Sequence, residues 1–333
     1  MLWEPEWRAA KRAGALVGTM RAGRQTTLRS SVSLSGIGVH SGVPATITLQ
    51  PADHDSGIVF ARSGGGANQE LRAHVRSVYA TEFATVLGDQ SGPLCATTEH
   101  VLAAFYGLGV DNALVEVDGP EVPILDGSAE PFVDAIDRAG IAYTVAPRRY
   151  LKVLKPVRVA NGRALGELRP YDFGFRVETE IDFAHPLIGR QTIAFDLDPA
   201  AFRREVARAR TFGFMSDVSK LWSAGYALGA SLENTLVLAE DRVLNSDGLR
   251  FANEFVRHKA LDAIGDLALA GAPLLAAYRS VCGGHKLNHA VLSALIADRS
   301  AWTMVEATPL RRVRGGAELA TGCPAPAFGP ATS

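Results

Sequence analysis

Between Thr26 and Arg62 the chain runs through VSLSGIGVHSG, PATITLQPA and GIVFAR, where apolar and polar residues alternate or β-favouring residues cluster between glycine turns. That pattern predicts strands of a sheet. The segment TTEHVLAAFYGLG changes period and predicts a helix, with Thr97 or Thr98 as N-cap and Gly107 as its stop. DNALVEVDGPEVPILDGSAEPFVDAI then predicts strand, turn and helix, which completes a first α+β unit. After Pro147 the strand pattern restarts in YLKVLKPVRVA, ELRPYDFGFRVETEIDF and TIAFDL, and helices follow. The expected organisation is two α+β halves, residues 25–147 and 148–312. Residues 1–24 form an N-terminal extension expected to be disordered, and residues 313–333 a Gly-, Ala- and Pro-rich tail. A faint echo links DNALVEVDGPEVPILDGSAEPFVDAI to ENTLVLAEDRVLNSDGLRFANEFVRHKALDAI, with different spacing.

The stretch FVRHKALDAIGD departs from ordinary amphipathic patterning. His258, Asp262 and Asp266 recur every four residues, so on a helix they share one stripe. The rest of the segment is apolar nearly all round, which predicts a buried helix. An imidazole and two carboxylates in a low-dielectric interior require compensation, by a divalent cation or by an ion-pair network. Spacing alone favours neither. In GGHKLNHAV, His285 and His289 are also four apart, so a second histidine pair competes for the metal, while Gly283 and Gly284 allow a ligand close to the backbone.

Two further segments carry candidate chemistry. Glu99 and His100 open the helix predicted from TTEH and point about 100° apart, so one could hold a metal while the other reaches a water. The ordinary explanation of such a pair is a solvated helix start with a favourable dipole interaction. In ARTFGFM, Thr211 falls where an amphipathic helix is expected to end, and its hydroxyl either supports an oxyanion or bonds local backbone.

Composition narrows the class. The chain has 333 residues, 47% of them hydrophobic, enough for substantial cores. Lys+Arg 34 against Asp+Glu 35 gives a formal net charge of -1, and no basic run recommends nucleic acid as a partner. No segment has the length and apolarity of a membrane span, and the apolar stretch around AGALVG is too short for an export signal. Three widely spaced cysteines, Cys95, Cys282 and Cys323, suit reduced thiols in a cytosol. The expectation is a cytoplasmic protein without stable membrane insertion.

Taken in order, GIGVHSG, TTEH, DNALVEV, PEVPILDGSAEPF, ARTFGFM, RVLNSDGLRF, EFVRHKALDAIGDL and GGHKLN, spread from about Thr26 to Val305, resemble the UDP-3-O-acyl-N-acetylglucosamine deacetylase family, zinc hydrolases of bacterial lipid A synthesis. The resemblance implies an α+β fold, a two-domain β-α-α-β sandwich with helices between two outer sheets and the active site at the domain interface. It implies Zn2+ held by His100, His258 and Asp262, with Fe2+ as an alternative for two His and one carboxylate. His289 then drops out as a ligand. Glu99 matches the general base, Thr211 the hydroxyl beside the reacting carbonyl, Lys259 a substrate-binding cation, and His285 the imidazole that protonates or supports the reacting amide, with Asp266 fixing its tautomer. On this reading Glu99 takes a proton from water acidified toward pKa roughly 7 by the metal. Glu99 or charged His285 then protonates the departing amine.

The family's apolar acyl passage corresponds here to FGFMSDVSKLWSAGYALGASLEN, with Phe212, Met215, Val218, Ala227, Gly229 and Ala230 as lining candidates; core packing is the competing explanation. Phe173 or Phe175, near Asp172, is the candidate for stacking on uracil. The implied partner is one acylated UDP-amino sugar, bound by a monomer. A zinc peptidase ranks lower because HExxH is absent and the ligands come from two separate segments. A noncatalytic sugar-nucleotide binder ranks lower again, because Glu99, His285 and all three ligands are present.

Overall fold

The structure, a computed structural model, describes residues 23–62, 69–307 and 328–330. It is a mixed α+β fold with six α-helices among the described residues: α1 (Glu99–Leu108), α2 (Glu130–Ala139), α3 (Pro199–Glu205), α4 (Val218–Ser223), α5 (Glu254–Ala268) and α6 (His285–Ala297).

A five-stranded sheet runs in the order Val32–Ile37, Pro44–Pro51, Ala113–Val117, Ile58–Arg62 and Gln69–Arg72. Its alternation does what the sequence pattern predicts. In Pro44–Pro51, Ala45, Ile47 and Leu49 are buried while Thr46, Thr48 and Gln50 are not. On the outer side, Ser33 meets Thr48 at 2.9 Å and Ser35 meets Thr46 at 3.0 Å, cross-strand hydroxyl pairs that hold the register. The second large sheet centres on Leu274–Val281, which lies antiparallel to Ala164–Pro170 and parallel to Phe175–Phe183. Its first residues also pair with Arg149–Val153, which pairs in turn with Trp302–Ala307.

Helices α1 and α5 pack on each other. Both are buried nearly all round: in α1 only Tyr106 is not buried. The closest approach is at Gly265 of α5, where a Cβ would lie 2.0 Å from the Glu99 carbonyl oxygen. Only a residue without a side chain fits there, and this contact sets Glu99 and His100 against the stripe on α5. One apolar cluster joins Ile47, Leu49 and Val115 of the first sheet, Leu102 and Phe105 of α1, Leu261 and Ile264 of α5, and Val177 and Tyr278 of the second sheet.

Several sequence expectations need correction. Helix α1 does not stop at Gly107 but runs to Leu108, and Gly109 caps it in the left-handed region at φ 74. Gly107 instead makes room for Phe202 of α3, whose ring atoms would lie 2.3 Å from a Cβ at that position. Thr211 is not at the end of a helix, because α3 closes at Glu205; Thr211 enters the short strand Phe212–Phe214, parallel to Leu236–Leu238. The strand Arg24–Leu28 begins inside the expected extension and pairs with Ile141–Pro147. Within the expected tail, the backbone of Phe328–Pro330 pairs antiparallel with Val305–Ala307. Residues 1–22 and Cys323 lie outside the described residues. No described helix is long and apolar enough to cross a membrane.

Candidate metal centre

One buried cluster among the described residues has the composition of a metal site: His100, His258 and Asp262, whose ligand atoms all lie within 4.8 Å of one another. His100 arrives from the first turn of α1; His258 and Asp262 arrive from adjacent turns of α5. The hydrogen bonds around them decide their protonation. His258 Nδ1 lies 3.0 Å from the Ala209 carbonyl oxygen, which only accepts, so Nδ1 carries the proton. Burial pushes the His258 pKa down to about 3, with Asp262 opposing, so the ring is neutral and Nε2 bears a lone pair. That lone pair faces Asp262 Oδ1 at 3.2 Å.

Burial works against ionisation of Asp262, yet positive charge on His258, when that ring is protonated, and on Lys259 holds it well below the usual carboxylate range. Its Oδ2 accepts from Lys259 Nζ at 2.8 Å, whereas Oδ1 has no hydrogen-bond partner among the described residues. Nε2 of His100 stands 3.6 Å from that same Oδ1. Two acceptors turned toward each other in a dry site, with an orphaned anionic oxygen between two imidazoles, fit a cation and are costly without one. The donor set, two nitrogens and one oxygen, suits zinc with a coordination position left open.

Beside this cluster lies a buried group of two carboxyls and an imidazole, Glu99, Asp266 and His285. Glu99 is buried, and burial pushes its carboxyl up, with His285 and His100 opposing. His285 Nε2 is 3.9 Å from Glu99 Oε1, and its Nδ1 is 2.9 Å from Asp266 Oδ2. Burial disfavours charge on His285, but the carboxylates of Asp266 and Glu99 outweigh it and the pKa is pushed up to about 10. Asp266 belongs to the same stripe as His258 and Asp262 and faces His285 instead of the ligand cluster. His289, the rival ligand, points elsewhere, with Nε2 3.3 Å from the Val75 carbonyl oxygen.

The segment Ala209–Phe212 runs along His258. Arg210 is clamped by the fully buried Glu254 at 2.9 Å and by Asp247 at 2.7 Å. Thr211 is fixed by its backbone: its N–H donates to Gly127 and its carbonyl accepts from Leu236, each at 2.8 Å. The Phe212 ring lies 6.3 Å from the His258 ring, and Lys259 Nζ sits 5.7 Å from the Phe212 centroid. Phe212 and Lys259 are thus brought to the ligand cluster, and Thr211 precedes Phe212 in the chain. Met215 and Val218 stand farther along the insert, where Met215 is 54% exposed and no residue from Thr211 to Glu233 is buried. Core packing therefore does not explain Met215, whereas Phe212 packs against the buried cluster of Leu236, Leu238 and Phe255. Of the two uracil candidates, Phe175 is buried against Tyr106 and unable to stack on a ligand, whereas Phe173 is exposed.

Sequence reasoning missed Thr85, Glu121 and Asn288. The Thr85 N–H donates to Glu99 Oε2 at 3.0 Å, and Asn288 donates to Asp266 Oδ2 at 2.8 Å. Glu121, 1% exposed, collects the N–H groups of His40 and Ser41 and the hydroxyls of Ser41 and Thr97, which pins the GIGVHSG loop to the start of α1. A Glu between glycine, proline and valine in GPEVP could have been noticed as a polar residue in an apolar run; Thr85 carried no signal at all.

Two imidazoles and a carboxylate with an unpartnered oxygen, beside a buried carboxyl–imidazole pair in an α+β fold, have the composition expected of a metal-dependent hydrolase. Residues 25–297 match the family described as LpxC: UDP-3-O-acyl N-acetylglycosamine deacetylase. Relatives from Brucella ovis, Brucella canis and Brucella melitensis, each named UDP-3-O-acyl-N-acetylglucosamine deacetylase, are 51% identical over 284 residues, covering 85% of this chain and 99% of the relative. The chain belongs to this deacetylase family.

Proposed function

We propose that the chain hydrolyses the N-acetyl group of UDP-3-O-acyl-N-acetylglucosamine in a zinc-dependent reaction, giving UDP-3-O-acyl-glucosamine and acetate, the committed step of lipid A synthesis. The observation that carries the reading is the orphaned Asp262 Oδ1 facing the His258 lone pair, one helix away from a buried Glu99. His100, His258 and Asp262 would hold the ion. A zinc ion there supplies Lewis acidity, acidifying water and polarising an amide carbonyl. Ferrous iron suits the same donors.

The remaining chemistry belongs to the chain. Glu99, its carboxyl raised by burial, accepts the proton of the attacking water. The water oxygen bonds to the acetamide carbon, and the Thr211 hydroxyl donates to the resulting oxyanion. As the C–N bond breaks, the electron pair goes to the sugar nitrogen, which takes a proton from Glu99 or from charged His285. Acetate and a free amine leave. Lys259 binds substrate, Phe212, Met215 and Val218 border the acyl chain, and the exposed Phe173 is the remaining candidate for the uracil. We further read the fold as a two-domain sandwich, residues 25–147 and 148–312, with α1 and α5 between the sheets and the site where the halves meet, in a cytoplasmic monomer.

The test is acetate release from the acylated UDP-sugar by purified protein, before and after chelation, with elemental analysis of the same sample. Acetate release that chelator abolishes and zinc restores is expected. Chelator-insensitive release, or none from a zinc-loaded sample, would overturn the reading.

A further inference from the structure

Thr85 sits between the helices and belongs to neither. It lies just ahead of the strand Val86–Asp89, is 2% exposed, and is fastened to the start of α1 by three hydrogen bonds. Its N–H donates to Glu99 Oε2 at 3.0 Å, and its carbonyl accepts from the Thr98 N–H at 3.2 Å and the Thr98 hydroxyl at 3.1 Å. So held, it directs its hydroxyl across to α5, where it donates to Asp266 Oδ1 at 2.5 Å. Asp266 Oδ2 meets His285 Nδ1 at 2.9 Å and Asn288 Nδ2 at 2.8 Å. Thr85 Oγ1 is the one partner of Oδ1 among the described residues.

We propose that Thr85 is a positioning residue that holds the Glu99 carboxylate through its backbone and the Asp266 carboxylate through its hydroxyl, and so fixes the distance between Glu99 and His285. The inference rests on the roles assigned to Glu99 and His285 in the proposed deacetylation. Its physical content is the accounting of one buried carboxylate. With the hydroxyl removed, Oδ1 of the buried Asp266 carboxylate is left without its one donor among the described residues. The carboxylate is then free to turn toward the donors on its other side, and the imidazole bonded to it turns with it. The metal ligands are bonded to other atoms: His258 to Ala209, and Asp262 to Lys259. Loss of the hydroxyl therefore slows the chemical steps and spares both the metal and the substrate contacts.

Thr85→Val keeps the shape and the backbone bonds while deleting the hydroxyl. Removing such an outer partner is expected to lower kcat about 10–100-fold, with KM and zinc content as in the wild type. Thr85→Ser, which keeps the hydroxyl, is expected to recover most of the lost kcat. In the metal-free protein, the deshielded NMR signal of the proton on His285 Nδ1 should move in Thr85→Val and return in Thr85→Ser. Wild-type kcat in Thr85→Val, or loss of zinc or a raised KM accounting for the whole defect, would overturn the inference. Should Thr85→Val fail to fold, a Thr85→Ser protein as impaired as Thr85→Ala would overturn it equally. An inactive wild-type protein would instead count against the deacetylase reading, which keeps the two failures apart.

Discussion

Two regions of the second half of the chain are rich in apolar residues and do opposite things with them. In α5 the apolar side chains are buried and hold His258, Asp262 and Asp266 in a dry stripe where every orientation is set by a named partner. In the insert from Thr211 to Glu233 nothing is buried, and Met215, Trp222, Leu228 and Leu232 are each more than half exposed. The contrast separates a part that must be rigid, because charges converge there at fixed distances, from a part that leaves apolar side chains exposed. Rigidity at the site comes from packing and from buried hydrogen bonds whose loss is expensive.

The largest effect that would break the comparison is at Gly265. Gly265→Ala places a methyl carbon against the Glu99 carbonyl, and a backbone atom in a buried helix has little room to yield. A loss of about 3 kcal/mol of stability, at the upper end for overpacking, should appear in thermal unfolding, accompanied by weakened zinc binding. Unchanged stability would show that α1 and α5 are not locked by this contact.

A smaller effect falls on Asp266. Burial lowers the His285 pKa and the Asp266 carboxylate is the foremost group raising it, so Asp266→Asn should lower it from its value of about 10. If charged His285 delivers the proton, activity depends on the protonated ring. The basic limb of the kcat/KM profile then moves to lower pH, and kcat falls by about 10–100-fold. A basic limb that stays in place would remove His285 from the proton transfer.

The smallest effect on stability and the sharpest on specificity are expected in the insert. Met215→Ala and Leu228→Ala should change the free energy of unfolding by no more than about 0.5 kcal/mol, the usual range for surface positions. Turnover across a series of acyl lengths should peak sharply in the wild-type protein and shift in these variants. A flat wild-type profile would remove the acyl passage from the account.

What was legible in the sequence follows the same division. The four-residue spacing of His258, Asp262 and Asp266 maps onto one helix face by geometry alone, so the stripe could be read directly. Glu99–His100 could not, because a charged pair in a first turn is common and its meaning depends on what α5 brings opposite. The resemblance to a family supplied that pairing; periodicity did not. Thr85 escaped because its role rests on a hydroxyl meeting a residue 181 positions away, and a threonine ahead of a strand ordinarily bonds local backbone. Gly107 was mistaken for a helix stop because its reason is the ring of Phe202, again distant in sequence. Phe173 and Phe175 were indistinguishable until the structure buried Phe175 at the start of its strand and left Phe173 exposed in the turn ahead of it.

The central claim is that one cation is gripped by side chains from both α1 and α5 while Glu99 serves the water beside it. Zinc-to-protein ratio, measured side by side in wild type, Glu99→Ala and His100→Ala, tests it most directly. The account predicts near-stoichiometric zinc in wild type and in Glu99→Ala, the latter with turnover reduced by about 10²–10⁴-fold as befits a lost general base, and little zinc in His100→Ala. Equal zinc loss in both variants, or full zinc in His100→Ala, would contradict it.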